Sequence, residues 1–380
     1  MDELGIGMMG SKFMGRAHAN AWDAAPRFFD LPLDPVRRVV AARDAEELAR
    51  FAPRWGWPRW TTDWRDLVAD PDVHLVDVAT PNHLHAEQAI AALEAGKHVA
   101  CEKPLAATLA DARRMAAAAA ASDARTFVWY SYRRVPALGL ARRLVAEGRL
   151  GRIYHVRAAY LQGWGGPATP AVWRFDAARA GSGALGDLAA HIVDMARFLT
   201  GEEIVEVTGA IERRFIDARP LPEDPTRSAP STVDDAVLFL GHLSGGAVAS
   251  FEATRLATGV KNSNRIEVHG ELGAIAFDFQ HMNELRVFDG STPGPDQGWT
   301  TIQTTHEDHP WMRAWWPDGH GLGYEHTFVN QAADIVRVLG GEEPEAPLPD
   351  FADAFVTQRV LEAAVVSARE RRPVPVEEIR

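Results

Sequence analysis

Cysteine is almost absent from this chain of 380 residues, in which Cys101 stands alone. One cysteine excludes an internal disulfide framework, so we expect the protein in a reducing compartment, the cytoplasm. A long apolar run is missing too, because the longest uniform stretch, residues 116–121, is too short to span a bilayer. The first residues are acidic and lead straight into a strand-like segment, so we expect no secretory signal peptide.

Positive charge is the second shortage. The chain has 40 Lys and Arg against 52 Asp and Glu, for a formal net charge of -12 at pH 7. Because nucleic acids and anionic membranes are bound by clustered Lys and Arg, this balance predicts neither as a partner and favours a small polar substrate. The length and a hydrophobic fraction of 46% predict two domains, each with its own buried core.

The N-terminal part of the chain carries a strand, a tight turn and a helix. Residues 4–9 are apolar enough for a buried strand, and residues 10–19 open a helix. A glycine fingerprint can lie over residues 5–10 or over residues 10–15, and we prefer the second because it leaves a full strand before the turn. In this register Lys12 replaces the middle glycine and either points away or contacts a phosphate. The turn and the helix N-terminus predict a dinucleotide site formed by Gly10, Lys12, Phe13, Met14 and Gly15.

The end of the next strand, at residues 36–42, bears on the choice between NAD and NADP. A carboxylate at this place binds the ribose hydroxyls of NAD, whereas an arginine accommodates the 2'-phosphate of NADP. Ala42 followed by Arg43 therefore predicts a modest preference for NADP. Asp44, one position later, keeps NAD open.

Two further loops are expected at the carboxyl edge of the same sheet, where open parallel sheets bind their ligands. The loop after the apolar strand at residues 73–79 contains Thr80, Pro81, Asn82 and His85. The loop after the run at residues 98–100 contains Glu102, Lys103 and Pro104. A proline restricts its own backbone and that of the preceding residue, so Lys103 is held in one direction. The alternation of strands and helices over residues 1–133 predicts a doubly wound, parallel α/β sheet of the Rossmann type.

A different pattern begins at residue 134 and continues to residue 380, with strands of alternating polarity between helices. Within it, a glycine-rich stretch enters a helix that carries Asp187 and His191, which share one face at this spacing. The inward-packing stripe of the same helix is expected to contain Leu188, Ile192 and Met195.

Irregular loops are predicted at residues 220–230 and 290–323. The longer one is rich in Trp and His, and long loops are often lids or binding loops. Its His306 and His309 lack further ligands at a suitable spacing, so we predict no metal site.

Taken together, these segments resemble the glucose-fructose oxidoreductase and inositol dehydrogenase family, usually called Gfo/Idh/MocA. The resemblance is carried, in order, by residues 10–18, 79–85, 95–104 and 183–191. Three other stretches are most similar to the levoglucosan dehydrogenase branch of the family, namely residues 13–18, 132–137 and 160–164.

The resemblance implies a Rossmann domain followed by a C-terminal α/β domain with a large, mostly antiparallel sheet. It also implies an NAD(P)-dependent dehydrogenase acting on a secondary hydroxyl of a sugar, anhydrosugar or cyclitol, assembled as a homo-oligomer, either a dimer or a tetramer. The catalytic residues it implies are Lys103, Asp187 and His191. The substrate-binding residues, besides these three, are Tyr132, Gln162, Trp164 and Arg174, and Glu102 joins the cofactor site.

Two departures from the family pattern concern the cofactor. Lys12 replaces the middle glycine, and Ala42 stands where members that use NAD often carry an acidic residue, although the branch itself favours NAD. In the mechanism that we expect, His191 removes the hydroxyl proton, Lys103 hydrogen-bonds the same oxygen, and Asp187 orients the pair. The alternative is that Lys103 acts as the base in place of His191. The alternatives are a non-catalytic dinucleotide or sugar sensor of the same fold, and a reductase of another keto compound.

Overall fold

The computed structural model describes residues 2–380, which form ten α-helices and seventeen strands over this range. The helices are Phe13–Phe28 (α1), Ala45–Arg54 (α2), Trp64–Ala69 (α3), His85–Glu94 (α4), Leu109–Ala120 (α5), Pro136–Ala146 (α6), Ala177–Ala180 (α7), Ala190–Thr200 (α8), Tyr324–Leu339 (α9) and Phe351–Glu370 (α10). The strands are Glu3–Met9 (β1), Asp34–Ala41 (β2), Arg59–Thr61 (β3), Leu75–Val78 (β4), His98–Cys101 (β5), Thr126–Val128 (β6), Ile153–Leu161 (β7), Ile204–Arg213 (β8), Ala218–Pro220 (β9), Ser228–Pro230 (β10), Ala236–Leu243 (β11), Val248–Thr254 (β12), Ser263–Gly270 (β13), Gly273–Asp278 (β14), Glu284–Asp289 (β15), Trp299–Gln303 (β16) and Val374–Pro375 (β17).

The first unit is built on a six-stranded sheet in the order β3-β2-β1-β4-β5-β6, with every neighbouring pair parallel. β1 and β4 lie at its centre and are buried along almost their whole length, which explains their continuous apolar sequences. The doubly wound parallel sheet expected from the sequence is confirmed. The short edge strand β3 was not predicted, because three residues are too few to show a period.

The first unit also includes residues from the C-terminal half of the chain. It takes in the residues up to 134 together with 313–316 and 322–355, so it differs from a single cut after residue 133. The reason is α9, which packs against α1. Gln331 on α9 donates a hydrogen bond to the carbonyl oxygen of Val128 at 2.8 Å, and the buried guanidinium of Arg134 lies 3.0 Å from the Asp334 carboxylate.

The second unit contains a nine-stranded sheet in the order β16-β15-β14-β13-β7-β12-β11-β8-β17. All neighbouring strands are antiparallel except β7 and β12, so the large, mostly antiparallel sheet is confirmed. α8 contacts β7 and β13 on one face of this sheet. Along β11 and β12 buried residues alternate with more exposed ones, which leaves the other face open.

Both of the loops predicted as irregular contain short strands. Within residues 220–230, β10 pairs with β9 as a small hairpin, and within residues 290–323, β16 adds an edge strand beside β15. β10 is three residues long and ends in a proline, and β16 is exposed along almost its whole length, so neither shows the alternation that would identify a strand. None of the helices in the described part of the chain combines the length and the apolar character that crossing a membrane requires.

Candidate active site

The glycine turn of the first unit lies where the sequence placed it. β1 ends at Met9 and α1 begins at Phe13, which confirms the register over residues 10–15. Gly10 has a φ of 118°, and a Cβ atom there would lie 2.5 Å from the carbonyl oxygen of Ala79, so only glycine fits. The N-terminus of α1 receives no side-chain cap, so its backbone N–H groups are available to an anion. This cradle fits the pyrophosphate of a dinucleotide.

Lys12 points away from the turn toward α2. Its ammonium pairs with the Glu47 carboxylate, and the other oxygen of that carboxylate accepts a hydrogen bond from the Ser11 hydroxyl at 2.8 Å. Asp44 serves as the N-cap of α2, because its side chain accepts the backbone N–H of Glu47 at 3.0 Å. Arg43 is exposed. The carboxylates of Asp44, Glu46 and Glu47 and one exposed guanidinium thus follow β2, and the Glu47 carboxylate is paired with the Lys12 ammonium.

The loops after β4 and β5 are fastened together by His85. Its Nε2 lies 2.9 Å from the carbonyl oxygen of Thr80, and its Nδ1 lies 3.1 Å from that of Pro104. Burial lowers the pKa of His85 below its ordinary value. Both ring nitrogens therefore face the backbone of the two loops, and the ring fixes the loops relative to each other. Pro81 and Asn82 belong to the loop after β4, where Asn82 begins a short helical turn and Pro81 directly precedes it.

A buried ion network lies behind Lys103. The Nδ1 of His18 is 3.0 Å from both carboxylate oxygens of Asp77, and its Nε2 is 3.0 Å from Glu102. Only an imidazolium can donate to both carboxylates. Burial alone would lower the pKa of His18, but the two carboxylates outweigh it and raise the pKa to about 9. Trp22 also donates to Asp77, through its indole N–H at 2.7 Å.

Lys103 stands at the carboxyl end of β5, as predicted. Its backbone N–H donates to the Glu102 carboxylate at 3.0 Å, and the peptide bond to Pro104 is cis. Tyr132 is buried in the turn Ser131–Arg134. Its ring lies 6.5 Å from that of Tyr324, which in turn stacks on the exposed ring of Phe13 at 6.2 Å.

In the second unit, Asp187 lies on a π-helical turn, Leu185–Ala189, that leads into α8. Such turns are rare and frequently occur at functional sites. The entry to the turn is held by Asp234, whose carboxylate accepts the backbone N–H groups of Gly183 at 2.5 Å and Leu185 at 2.8 Å. The Asp187 carboxylate accepts a hydrogen bond from the buried Arg255 at 2.8 Å.

His191 is the second residue of α8 and is buried. Its ring centroid lies 5.7 Å from that of Tyr160. Leu188, Ile192 and Met195 are buried as predicted, but so are all the residues of α8 from Ala190 to Leu199, including the charged ones. The helix is therefore enclosed on all sides, which its amphipathic pattern did not show.

A chain of hydrogen bonds orients the two polar residues that follow β7. Trp164 donates its indole N–H to the Gln162 side-chain oxygen at 2.6 Å, and the Gln162 amide donates to Asn262 at 2.7 Å. The Tyr160 hydroxyl donates to the same Asn262 oxygen at 2.8 Å. Arg174 lies on the turn Trp173–Phe175, with its guanidinium 4.5 Å from the centre of the Trp173 ring.

Several residues of this arrangement were missed in the sequence. Asp77 gave a usable signal, since a carboxylate inside an apolar strand must find a partner. Asn262 and Arg255 gave none, because each is brought to the site by pairing of distant strands. Among residues 2–380, no group of three or more His, Cys, Asp or Glu side chains is arranged to hold a metal ion.

Two protein-family models match the chain. One describes an oxidoreductase family with an NAD-binding Rossmann fold and matches residues 4–130, and the other describes the GFO/IDH/MocA C-terminal domain and matches residues 139–276. The chain belongs to the GFO/IDH/MocA family. This GFO/IDH/MocA protein is therefore an oxidoreductase with an NAD-binding domain, and the resemblance seen in its motifs is confirmed.

Relatives of this GFO/IDH/MocA chain include sugar and cyclitol dehydrogenases. A levoglucosan dehydrogenase of Pseudarthrobacter phenanthrenivorans is 40% identical over 393 residues, covering 100% of both chains. A myo-inositol 2-dehydrogenase of Thermotoga maritima is 29% identical and covers 98% of this chain and 99% of its own.

Solved structures agree with these relatives. An oxidoreductase domain protein from Kribbella flavida has a TM-score of 0.94 at 51% identity, covering 99% of this chain and 100% of its own. A levoglucosan dehydrogenase in complex with NADH and levoglucosan has a TM-score of 0.94 at 41% identity, with the same coverage.

Proposed function

We propose that this protein is an NAD-dependent dehydrogenase that oxidises a secondary hydroxyl of an anhydrosugar, a pyranose or a cyclitol. Full-length similarity to a levoglucosan dehydrogenase supports the substrate class. The observation that carries the proposal is the pair on one helical segment, Asp187 ion-paired to a buried arginine and His191 buried nearby in sequence. Lys103 at the carboxyl edge of the parallel sheet supplies the third group.

Each of the three residues has a role in the proton transfer. The nicotinamide, when bound, supplies the hydride acceptor. His191 takes the hydroxyl proton, because imidazole is the side chain best suited to accept and release a proton near neutral pH. Lys103 donates a hydrogen bond to the same oxygen as it becomes negative, and Asp187 offsets the positive charge that develops on His191.

The cofactor would lie on the glycine turn, with its pyrophosphate at the N-terminus of α1. We propose NAD rather than NADP, in place of the modest NADP preference that Arg43 suggested in the sequence. The Lys12 ammonium is paired with Glu47, and Asp44 puts a carboxylate directly after Arg43, where it would repel a 2'-phosphate and bind the ribose hydroxyls of NAD. Thr80, Asn82 and Glu102 would contact the cofactor at the same edge.

The sugar would be bound by polar and aromatic side chains that the protein already orients. Trp164 offers a flat apolar face for sugar C–H groups, and its indole N–H fixes Gln162. Arg174 and Tyr132 complete the proposed set of contacts. We propose that the protein works in the cytoplasm, where the lone buried Cys101 would stay reduced.

A second copy of the chain would cover the open face of the nine-stranded sheet. Ile211 and Leu238 are paired in register on this face, and they and Leu240 are 56%, 42% and 51% exposed. A row of exposed apolar side chains on a regular sheet is typical of an interface, and a face that meets its own copy is self-complementary. Arg157 and Glu267, 3.1 Å apart on the same face, would supply matching charges.

An absorbance screen of anhydrosugars, pyranoses and cyclitols with NAD and NADP tests the proposed function. We expect at least one of these compounds to be oxidised with NAD. Cofactor binding without turnover of any compound would contradict it and favour a sensor.

A further inference from the structure

Arg255 follows β12 directly and is almost completely buried, with 1% of its surface exposed. A buried guanidinium is costly unless it is paired and hydrogen-bonded. Its Nη2 donates to the Asp187 carboxylate at 2.8 Å, and its Nη1 donates to the carbonyl oxygen of Arg174 at 3.1 Å. One side chain therefore joins two segments that both belong to the proposed substrate site.

The same guanidinium also lies against aromatic rings. Its Cζ atom is 5.4 Å from the centre of the Trp164 ring and 5.7 Å from that of Phe175, within the range of cation–π attraction. The backbone contributes too, because the N–H of Gly165 donates to the carbonyl oxygen of Arg255 at 3.0 Å. A Cβ atom at Gly165 would lie only 2.9 Å from the Cβ of Arg255, so the segment after Trp164 fits closely against it.

A planar fork of donors is needed for this set of contacts. Two amino groups of the guanidinium reach two acceptors in different directions while the plane stays close to the Trp164 ring. The ammonium group of a lysine is a point charge and cannot reach both acceptors in that geometry. Asp234 and Arg219 both interact with the charge of Arg255. Burial raises the pKa of the Asp234 carboxyl, and Arg255 opposes that rise; burial lowers the pKa of the Arg219 guanidinium, and Arg255 lowers it further.

We infer that Arg255 is the positioning residue of the substrate half of the site. It holds the Asp187 carboxylate in place, and its contacts with the Arg174 carbonyl oxygen and the Trp164 ring connect substrate recognition to the same cation. This inference rests on the proposed function, since Asp187 acts in the proton transfer proposed above. Arg255 itself touches neither the substrate nor the reacting atoms.

A double-mutant cycle between Arg255 and Asp187 tests the inference. Because a small misplacement of a catalytic group can cost ~10²-fold, Arg255→Gln should lower kcat by roughly that factor. In an Asp187→Asn background the same change should cost less than about threefold, because the residue through which Arg255 acts is already lost. Arg255→Lys, which keeps the charge and one donor, should recover roughly tenfold in kcat over Arg255→Gln. The dissociation constant of NAD, measured by calorimetry, should stay within about twofold of that of the wild type in all of them, since the NAD-binding domain lies elsewhere in the sequence.

Arg219 provides a matched control. It is equally buried, pairs with Asp235 at 3.2 Å and lies 3.6 Å from the centre of the Phe175 ring, but its ion pair does not include Asp187. Arg219→Gln should lower the melting temperature at least as much as Arg255→Gln while lowering kcat far less. Equal losses of kcat in the two variants would assign Arg255 to packing alone.

Other outcomes separate this inference from the proposed function. A wild type that oxidises no sugar contradicts the proposed function, and a crystal structure of Arg255→Gln then decides the positioning by itself. Displaced Asp187 and Trp164 side chains would support the inference, and unmoved ones would overturn it. It would also be overturned by a kcat above about a third of the wild-type value in Arg255→Gln, where ~10²-fold losses are expected. Failure of Arg255→Gln and Arg255→Lys alike to fold or bind NAD would overturn it too.

Discussion

The imidazole Nε2 of His18 lies 3.0 Å from the Glu102 carboxylate, in a fully buried position. Glu102 uses its other oxygen to accept the backbone N–H of Lys103. Through these two hydrogen bonds, the buried imidazole of His18 on α1 is linked to the backbone of a proposed catalytic residue. We therefore expect the position of Lys103 to respond to the protonation of His18.

Stability should fall in alkaline solution because of His18. Its pKa is about 9 in the folded protein and 6.5 ordinarily, so its contribution is complete below pH 6.5 and is lost as the pH rises through 9. The difference between the two pKa values corresponds to roughly 3 kcal/mol of folding stability. Urea unfolding between about pH 6 and pH 10 measures the stability, and nitrogen NMR of labelled histidine measures the pKa of His18.

The Glu102→Gln variant is the control for this effect. With one carboxylate fewer beside the imidazolium, the alkaline loss should begin at lower pH than in the wild type. A wild-type stability that is constant from pH 7 to pH 10, or the same profile in both proteins, would contradict the assignment.

Lys103→Ala and His191→Ala should each lower kcat by ~10²- to 10⁴-fold while NAD still binds, because a positioned acid or base contributes that much. Lys97→Ala is the matched control. Lys97 precedes the same strand at its other end and donates to the Asp70 carbonyl oxygen at 2.9 Å, so its loss should leave kcat unchanged. Steady-state kinetics gives the kcat of each variant, and calorimetry shows whether it still binds NAD. Retention of more than about a third of kcat would remove that residue from the mechanism.

Trp164→Ala should raise the KM for the sugar roughly tenfold, which is about 1.4 kcal/mol, and change the KM for NAD little. The variant removes the proposed sugar platform and frees Gln162. Trp299 is 39% exposed, against 38% for Trp164, and lies on β16, so Trp299→Ala controls for loss of an exposed indole. Equal rises in both KM values with a lower melting temperature would make Trp164 structural.

The kcat/KM with NAD should exceed that with NADP at least tenfold, since a charged contact is worth ~1.5–3 kcal/mol. Glu47→Gln should narrow this gap by removing one carboxylate from beside the turn. Ala42→Asp combined with Arg43→Ala should widen it. An equal or higher kcat/KM with NADP in the wild type would show that Arg43 binds the 2'-phosphate.

Leu240→Glu should reduce the assembly in solution, because it places a charge in the middle of the proposed interface. Light scattering after size-exclusion chromatography gives the mass. Leu272 is 53% exposed in the turn between β13 and β14, so Leu272→Glu adds the same charge outside the interface and should change nothing. An unchanged mass in both variants would exclude this face.

The sequence predicted those features that depend on neighbouring residues. The turn at Gly10 and the position of Lys103 after a buried strand both follow from local signals such as a strand end or a proline. What it could not predict depends on distant pairing. Asn262 reaches Gln162 because β13 pairs with β7, and Asp234 reaches Gly183 from a separate loop.

The π-helical turn is a clear example of the second kind. The spacing of Asp187 and His191 predicts one face of an α-helix, and the sequence gives no sign of the wider turn. That turn forms where Asp234 captures the N–H groups of Gly183 and Leu185, a contact that no local pattern encodes.

The discontinuous first unit limits how the gene of this protein can be recombined with those of its relatives. In a fragment that stops after residue 134, the Arg134 guanidinium would lose its ion pair with the Asp334 carboxylate. The N–H of Val128 would lose its hydrogen bond to the carbonyl oxygen of Pro349. An uncompensated buried charge costs several kcal/mol, so such a fragment should not fold alone. A chimera that transplants cofactor specificity must therefore carry residues 322–355 from the same parent as its N-terminal part.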